Sequence, residues 1–279
     1  MVDNIIQLVT EKLSSLSCIE GIVLGGSRAR GTHTEDSDID IGIYYNSESI
    51  DLTAINQLAT ELDDERRSNL VVPPGAWGDW VNGGGWLVIN GYHVDLILRD
   101  IKRVEQIIKD TEKGVVTANY QTGHPHGYIS AMYRGELAIS KVQYANDENF
   151  YELKKQAEHY STTLQKGLTE FFMFEAGFSL MFAENNIDKD DVSYVCGHCF
   201  RSISCLNQVL FAVNREYCIN EKKAVKMIED FKIKPSDYKE RVAKVISLIS
   251  TDVDCTRKGI ESLHRLVNEV EHLKGVNIQ

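Results

Sequence analysis

Proline is scarce in this chain: four in 279 residues, so the helical patterns of its second half run with few interruptions. Positive charge is in deficit, with 30 Lys and Arg against 41 Asp and Glu, a formal net charge of −11. A surface that grips nucleic acid through its phosphates is normally basic, so the balance argues against a nonspecific nucleic-acid partner, although a local basic groove would be compatible with it. Long apolar runs are missing too. Nothing approaches the ~18 residues of a membrane helix, and the densest patch, Phe171-Phe172-Met173-Phe174, is short and flanked by Glu170 and Glu175. The amino terminus, Met1-Val2-Asp3-Asn4-Ile5-Ile6, has neither the basic segment nor the apolar core of a signal peptide. These absences lead us to expect a soluble, cytoplasmic protein with no membrane partner.

Cysteine is present without a framework. Of Cys18, Cys196, Cys199, Cys205, Cys218 and Cys255, only Cys196-Gly197-His198-Cys199 has redox or half-zinc spacing. No thioredoxin-like unit adjoins it, and Cys205 and His198 are poorly spaced for a second zinc pair. It sits in an apolar-periodic stretch, which reads as buried free thiols.

The most informative stretch is Ile22-Val23-Leu24-Gly25-Gly26-Ser27, a polar loop, then Asp38-Ile39-Asp40-Ile41-Gly42-Ile43. Asp38 and Asp40 lie thirteen and fifteen residues after Gly25. Strand side chains alternate between faces, so the two carboxylates share one face and the isoleucines bury on the other. Paired carboxylates repel unless a cation neutralises them, and Mg²⁺ typically takes one or two carboxylates plus substrate phosphates. Gly25 and Gly26 let backbone N–H groups approach phosphate oxygens, and the Ser27 hydroxyl adds a donor. Metal carboxylates beside a phosphate cradle are the layout of phosphoryl or nucleotidyl transfer.

Elsewhere, helical periodicity covers residues 2–17, 50–64 and 99–113, and strands are expected at 19–24 and 38–45. Asn90-Gly91 between apolar runs predicts a hairpin over 85–98. Residues 69–85 read as irregular, broken by Pro73-Pro74-Gly75 and Gly83-Gly84-Gly85. From about residue 149 only helical periodicity remains, with helices expected at 150–165, 168–185, 191–213, 221–232, 236–250 and 255–273. The expected boundary lies near 140–148, where residues 141–149 turn polar. The expected fold is α+β: a small mixed β-sheet domain with flanking helices over 1–143, then an all-helical bundle over 144–279.

The Gly25-to-Asp40 stretch resembles the signature of the DNA polymerase beta-like nucleotidyltransferase superfamily: Gly-Gly-Ser, a spacer, Asp-x-Asp. The resemblance implies a third carboxylate on a later strand, and Asp95, which interrupts the apolar strand Tyr92–Leu98, fits it. A sheet domain followed by helices is similar to two-domain antibiotic nucleotidyltransferases of the kanamycin and lincosamide kind, in which the helical domain closes on the acceptor. That resemblance implies an enzyme moving a nucleoside monophosphate, AMP from ATP, to a hydroxyl of a small molecule. Asp38, Asp40 and Asp95 would be the catalytic and metal-binding residues for two Mg²⁺ ions. Gly25, Gly26, Ser27, Arg28 and Lys222 would hold the nucleotide. Antibiotic resistance and a homodimer are further expectations. Trp77, Trp80, Trp86, His33, His124 and His126 are candidates for substrate contacts, as are Glu136, Glu170 and Glu175. The rival readings are an enzyme that modifies a protein or RNA, and a catalytically silent nucleotide-binding regulator.

Overall fold

The computed structural model describes residues 1–274; residues 275–279 of the expected helical bundle lie outside the described part. In chain order the first elements are α1 (Val2–Leu13), β1 (Ile19–Leu24), the short α2 (Gly26–Arg30), β2 (Ile39–Tyr45), α3 (Leu52–Leu62), β3 (Gly83–Ile89), β4 (Tyr92–Asp100) and α4 (Ile101–Glu112). Then come β5 (Ala118–Asn119), β6 (Tyr128–Ile129), α5 (Ala131–Ile139), β7 (Lys141–Ala145) and α6 (Glu148–Glu158). The remainder is helical: α7 (Thr162–Glu184), α8 (Val192–Val213), α9 (Ala224–Ile228), α10 (Tyr238–Leu248) and α11 (Val253–Leu273).

The main sheet runs β3-β4-β2-β1-β7. β2 and β4 are parallel, with Asp40 opposite Asp95; the other neighbours are antiparallel. One face carries Ile39, Ile41 and Ile43 with Val94, Leu96 and Leu98, all fully buried. That face packs in one core with Ile5, Ile6, Val9 and Leu13 of α1 and Ile55, Ala59 and Leu62 of α3, residues whose i, i+3, i+4 spacing makes one apolar stripe on each helix. On the other face the residue types grade along the strands. Asp40 and Asp95 stand at one end, Tyr44 and Arg99 at the other. Tyr44 meets Phe150 of α6 edge-on at 5.1 Å, and Arg99 forms a bidentate ion pair with Glu136 of α5 at 2.8 and 3.0 Å. Helices thus cover the Tyr44–Arg99 end.

Two expectations are corrected here. Gly83-Gly84-Gly85 does not break the chain but opens β3. A Cβ at Gly83 would stand 2.6 Å from the Pro73 carbonyl oxygen, and one at Gly85 would stand 2.7 Å from that of Leu70. Glycine here lets the neighbouring backbone lie against the strand. The helix expected over 150–165 ends at Glu158, and Ser161 caps α7 by accepting the Leu164 N–H at 3.1 Å.

The chain forms two compact units. The first comprises Met1–Asp110, Ala118–Gly123 and Tyr128–His159; the second comprises Thr111–Thr117, His124–Gly127 and the chain from Tyr160 on. The boundary expected near 140–148 therefore falls inside the first unit, because Lys141–Ala145 pairs with β1 as an edge strand. In the second unit every residue of α8 from Ser202 to Val213 is buried, which marks α8 as its central helix. Asp191 caps α8 through the Tyr194 N–H, and Asp252 caps α11 through the Cys255 N–H.

Candidate functional site

The glycine turn and β2 are locked together. The Gly25 N–H donates to the Asp40 carbonyl at 2.8 Å. Gly26 has φ +57°, and a Cβ built there would stand 1.8 Å from Oδ2 of Asp40. No side chain fits at this position, so the turn lies directly on the carboxylate. Gly31, at φ +74°, ends α2, and its N–H donates to the Ser27 carbonyl. Ser27 itself is partly exposed.

Arg28 is buried, and its guanidinium faces the chain rather than solvent. Nε donates to the Asp38 carbonyl at 3.1 Å and Nη2 to the Ser37 carbonyl at 2.5 Å. Arg28 therefore fixes the approach of the loop to β2 and sets where Asp38, one residue before the strand, emerges. Asp38 is exposed, while Asp40 and Asp95 are half-buried.

The three acids influence one another. Burial, then Asp95, Asp38 and Glu136, push the Asp40 carboxyl up to about 6, and the Arg28 charge partly offsets this. Burial and Asp38 also raise Asp95, against a lowering by His93. Such a site favours an added cation. An oxygen-only donor set suits a hard divalent ion such as Mg²⁺, and Gly26 brings the backbone of the turn directly against Asp40. By donor chemistry Asp38, Asp40 and Asp95 fit a divalent ion, but among the described residues they do not bring one oxygen each within 4.8 Å of one another.

Trp86 lies opposite Asp95 across the β3–β4 ladder. Cross-strand partners share a face, so its indole, 62% exposed, stands beside the third carboxylate. Trp77 stacks on it at 4.7 Å and 23°. Trp80 is engaged differently, packed on Tyr128 and under Arg103. His33 is exposed in the loop after α2.

Other candidates are placed elsewhere. Glu136 is committed to Arg99 and accepts from the Tyr128 hydroxyl at 3.2 Å. Glu170, on α7, pairs with Lys166. Lys222 is an exposed residue of the second unit, where its N–H donates to the Asn220 side chain. His124 lies 3.9 Å from Glu221 in the second unit. Cys199 and Cys205 are buried free thiols, whereas Cys196 is exposed, contrary to expectation. The roles of Arg28 as a loop clamp and Glu136 as the counterion of Arg99 were not visible in the sequence, since both depend on partners met only in the folded chain.

A carboxylate-bearing sheet face under a glycine turn is an arrangement suited to phosphoryl or nucleotidyl transfer. Residues 3–117 match the family described as nucleotidyltransferase domain, which supports an activity of the nucleotidyltransferase type. No curated protein matches the chain. Among solved structures it is similar to a nucleotidyltransferase-like protein from Exiguobacterium sibiricum, at 10% identity and a TM-score of 0.47, over 98% of this chain and 74% of that one. A likeness that distant carries no functional weight. Among the described residues no helix is long and apolar enough to cross a membrane.

Proposed function

We propose that the chain is a Mg²⁺-dependent nucleotidyltransferase that moves AMP from ATP to a hydroxyl of a small molecule, with aminoglycoside- and lincosamide-type antibiotics as the acceptor class to examine first. The observation that carries this reading is the closure of the Gly25–Ser27 turn onto Asp40, with Asp95 in register on the adjacent strand.

Asp38, Asp40 and Asp95 would hold two Mg²⁺ ions. When bound, such ions neutralise the triphosphate and make the acceptor hydroxyl easier to deprotonate. The chain's own residues supply the rest. The N–H groups of Gly25 to Ser27 and the Ser27 hydroxyl orient phosphate oxygens. Arg28 holds the loop that presents Asp38, so its proposed service to the nucleotide is positional. Trp86 and Trp77 offer an indole face on which a base can stack. Asp95, with its raised pKa, suits the proton-accepting role more than an ordinary exposed carboxylate would.

The test is pyrophosphate release from ATP, GTP, CTP and UTP with Mg²⁺ across a panel of hydroxylated acceptors. Acceptor-dependent release is expected with ATP, and Asp40→Asn should lower it at least ~100-fold, about 2.7 kcal/mol of transition-state stabilisation. Full turnover in folded Asp40→Asn would sink the assignment.

A further inference from the structure

The geometry points to a separate metal centre in the second unit: His126, Glu175 and Cys205 form a three-ligand site for a borderline divalent cation, Zn²⁺ by its donor set. This goes beyond the nucleotidyl-transfer reading and does not rest on it. The three residues come from three places in the chain. His126 lies in the turn Gly123–Gly127, Glu175 on α7 and Cys205 on α8. One ligand atom of each lies within 4.8 Å of the others, the one such cluster of His, Cys and acidic groups among the described residues.

Distances decide whether one ion could serve all three. With Zn–S near 2.3 Å and Zn–N and Zn–O near 2.0–2.2 Å, tetrahedral edges are about 3.6 Å for S to N and about 3.4 Å for N to O. The Cys205 Sγ to His126 Nε2 distance is 3.5 Å, and His126 Nε2 to Glu175 Oε1 is 3.9 Å. The cluster is already within about half an ångström of both edges. A thiolate, an imidazole and a carboxylate together select Zn²⁺ over Mg²⁺ or Ca²⁺, which prefer oxygen alone. Three protein ligands leave a fourth position for water or an exchangeable group.

The surroundings hold the ligands in place without an ion. Glu221 accepts the N–H of His126 at 2.6 Å and of Gly127 at 3.2 Å, pinning the turn. Phe172 packs against the His126 ring at 6.1 Å. Arg201 pairs with Oε1 of Glu175. Arg201 thus holds the same oxygen that faces His126, as an outer partner that orients the carboxylate. Side-chain exposure falls from 50% at Arg201 to 13% at Glu175 and 2% at His126. An ion would therefore enter past Arg201 and end beside the fully buried Cys205. Bound there, it would tie the turn to both α7 and α8.

The test uses the full chain, stripped of metal and kept reduced, titrated with Co²⁺ as a spectroscopic stand-in and then with Zn²⁺. The expected result is one Co²⁺ per chain with thiolate-to-cobalt absorption that Zn²⁺ displaces. This absorption should persist in Cys196→Ala and in Asp40→Asn, and disappear in Cys205→Ala. Because Cys205 is buried and its variant could misfold, Glu175→Gln is the second probe, expected to weaken Co²⁺ at least ~10-fold with the helical circular dichroism unchanged. Zn²⁺ should also raise the wild-type Tm by several degrees in the absence of nucleotide. A wild type without thiolate absorption, absorption that depends on Cys196 instead, or unchanged affinity in Glu175→Gln would overturn the proposal. None of these readouts involves nucleotidyl transfer, so its outcome is independent of that activity.

Discussion

At Asp40 stability and chemistry pull in opposite directions. Its carboxyl titrates at 3.8 in an unstructured chain and at about 6 in the fold. Between those values the native protein keeps a proton that the unfolded chain has lost, so stability falls as pH rises through the window and stays lower above it. In divalent-free buffer, urea denaturation of wild type should show this loss between about pH 4 and pH 6 relative to Asp40→Asn. At pH 7 the metal-free variant should be the more stable protein while lacking activity. Matching pH profiles for the two would contradict the placement of Asp40 among like charges. Gly26 makes a second prediction at this scale. A methyl group there would collide with Asp40 in a backbone region that disfavours side chains, so Gly26→Ala should destabilise the fold by more than ~1 kcal/mol. It should also raise the KM for nucleotide, checked by denaturation and by steady-state kinetics.

Among the elements, the link between β4 and α5 matters most to the site. Arg99 is 3% exposed, and besides Glu136 its guanidinium meets the carbonyls of Val81 and Leu98 and the Tyr133 ring at 4.8 Å. Glu136→Ala should leave a buried charge and cost about 3 kcal/mol, read by urea denaturation. Glu48→Ala, which breaks the exposed pair with Lys102, should leave stability unchanged, because a solvated pair contributes little. The elements that build the site were legible in the sequence for physical reasons. Asp/Ile alternation has the period of a strand, and Asn90-Gly91, at φ 51° and 80°, supplies the two left-handed residues a tight hairpin needs. The missed elements lack such signals. β7 is a polar edge strand with Lys141 and Gln143 exposed. α5 buries Arg134 completely, so its sequence does not read as an apolar stripe. β3 begins with glycines whose purpose is the backbone beside them, which no local pattern reveals.

Over the whole molecule, a net charge of −11 opposes the approach of a polyanionic triphosphate. In the first unit Arg28, whose charge acts on Asp40, is already committed to loop carbonyls. Divalent ions are therefore expected to supply the neutralising charge, and nucleotide without them should bind weakly. The helical second unit was readable as a class from its periodicity, while its interleaving with the first unit through 111–117 and 124–127 was not, because chain-order boundaries carry no information about returning segments. The most direct measurement is calorimetric titration of ATP into wild type and Asp40→Asn, with and without Mg²⁺. The account predicts Mg²⁺-dependent binding to wild type that Asp40→Asn weakens at least ~10-fold, about 1.4 kcal/mol. Equal Mg²⁺–ATP binding by both folded proteins, or none by the wild type, would contradict it.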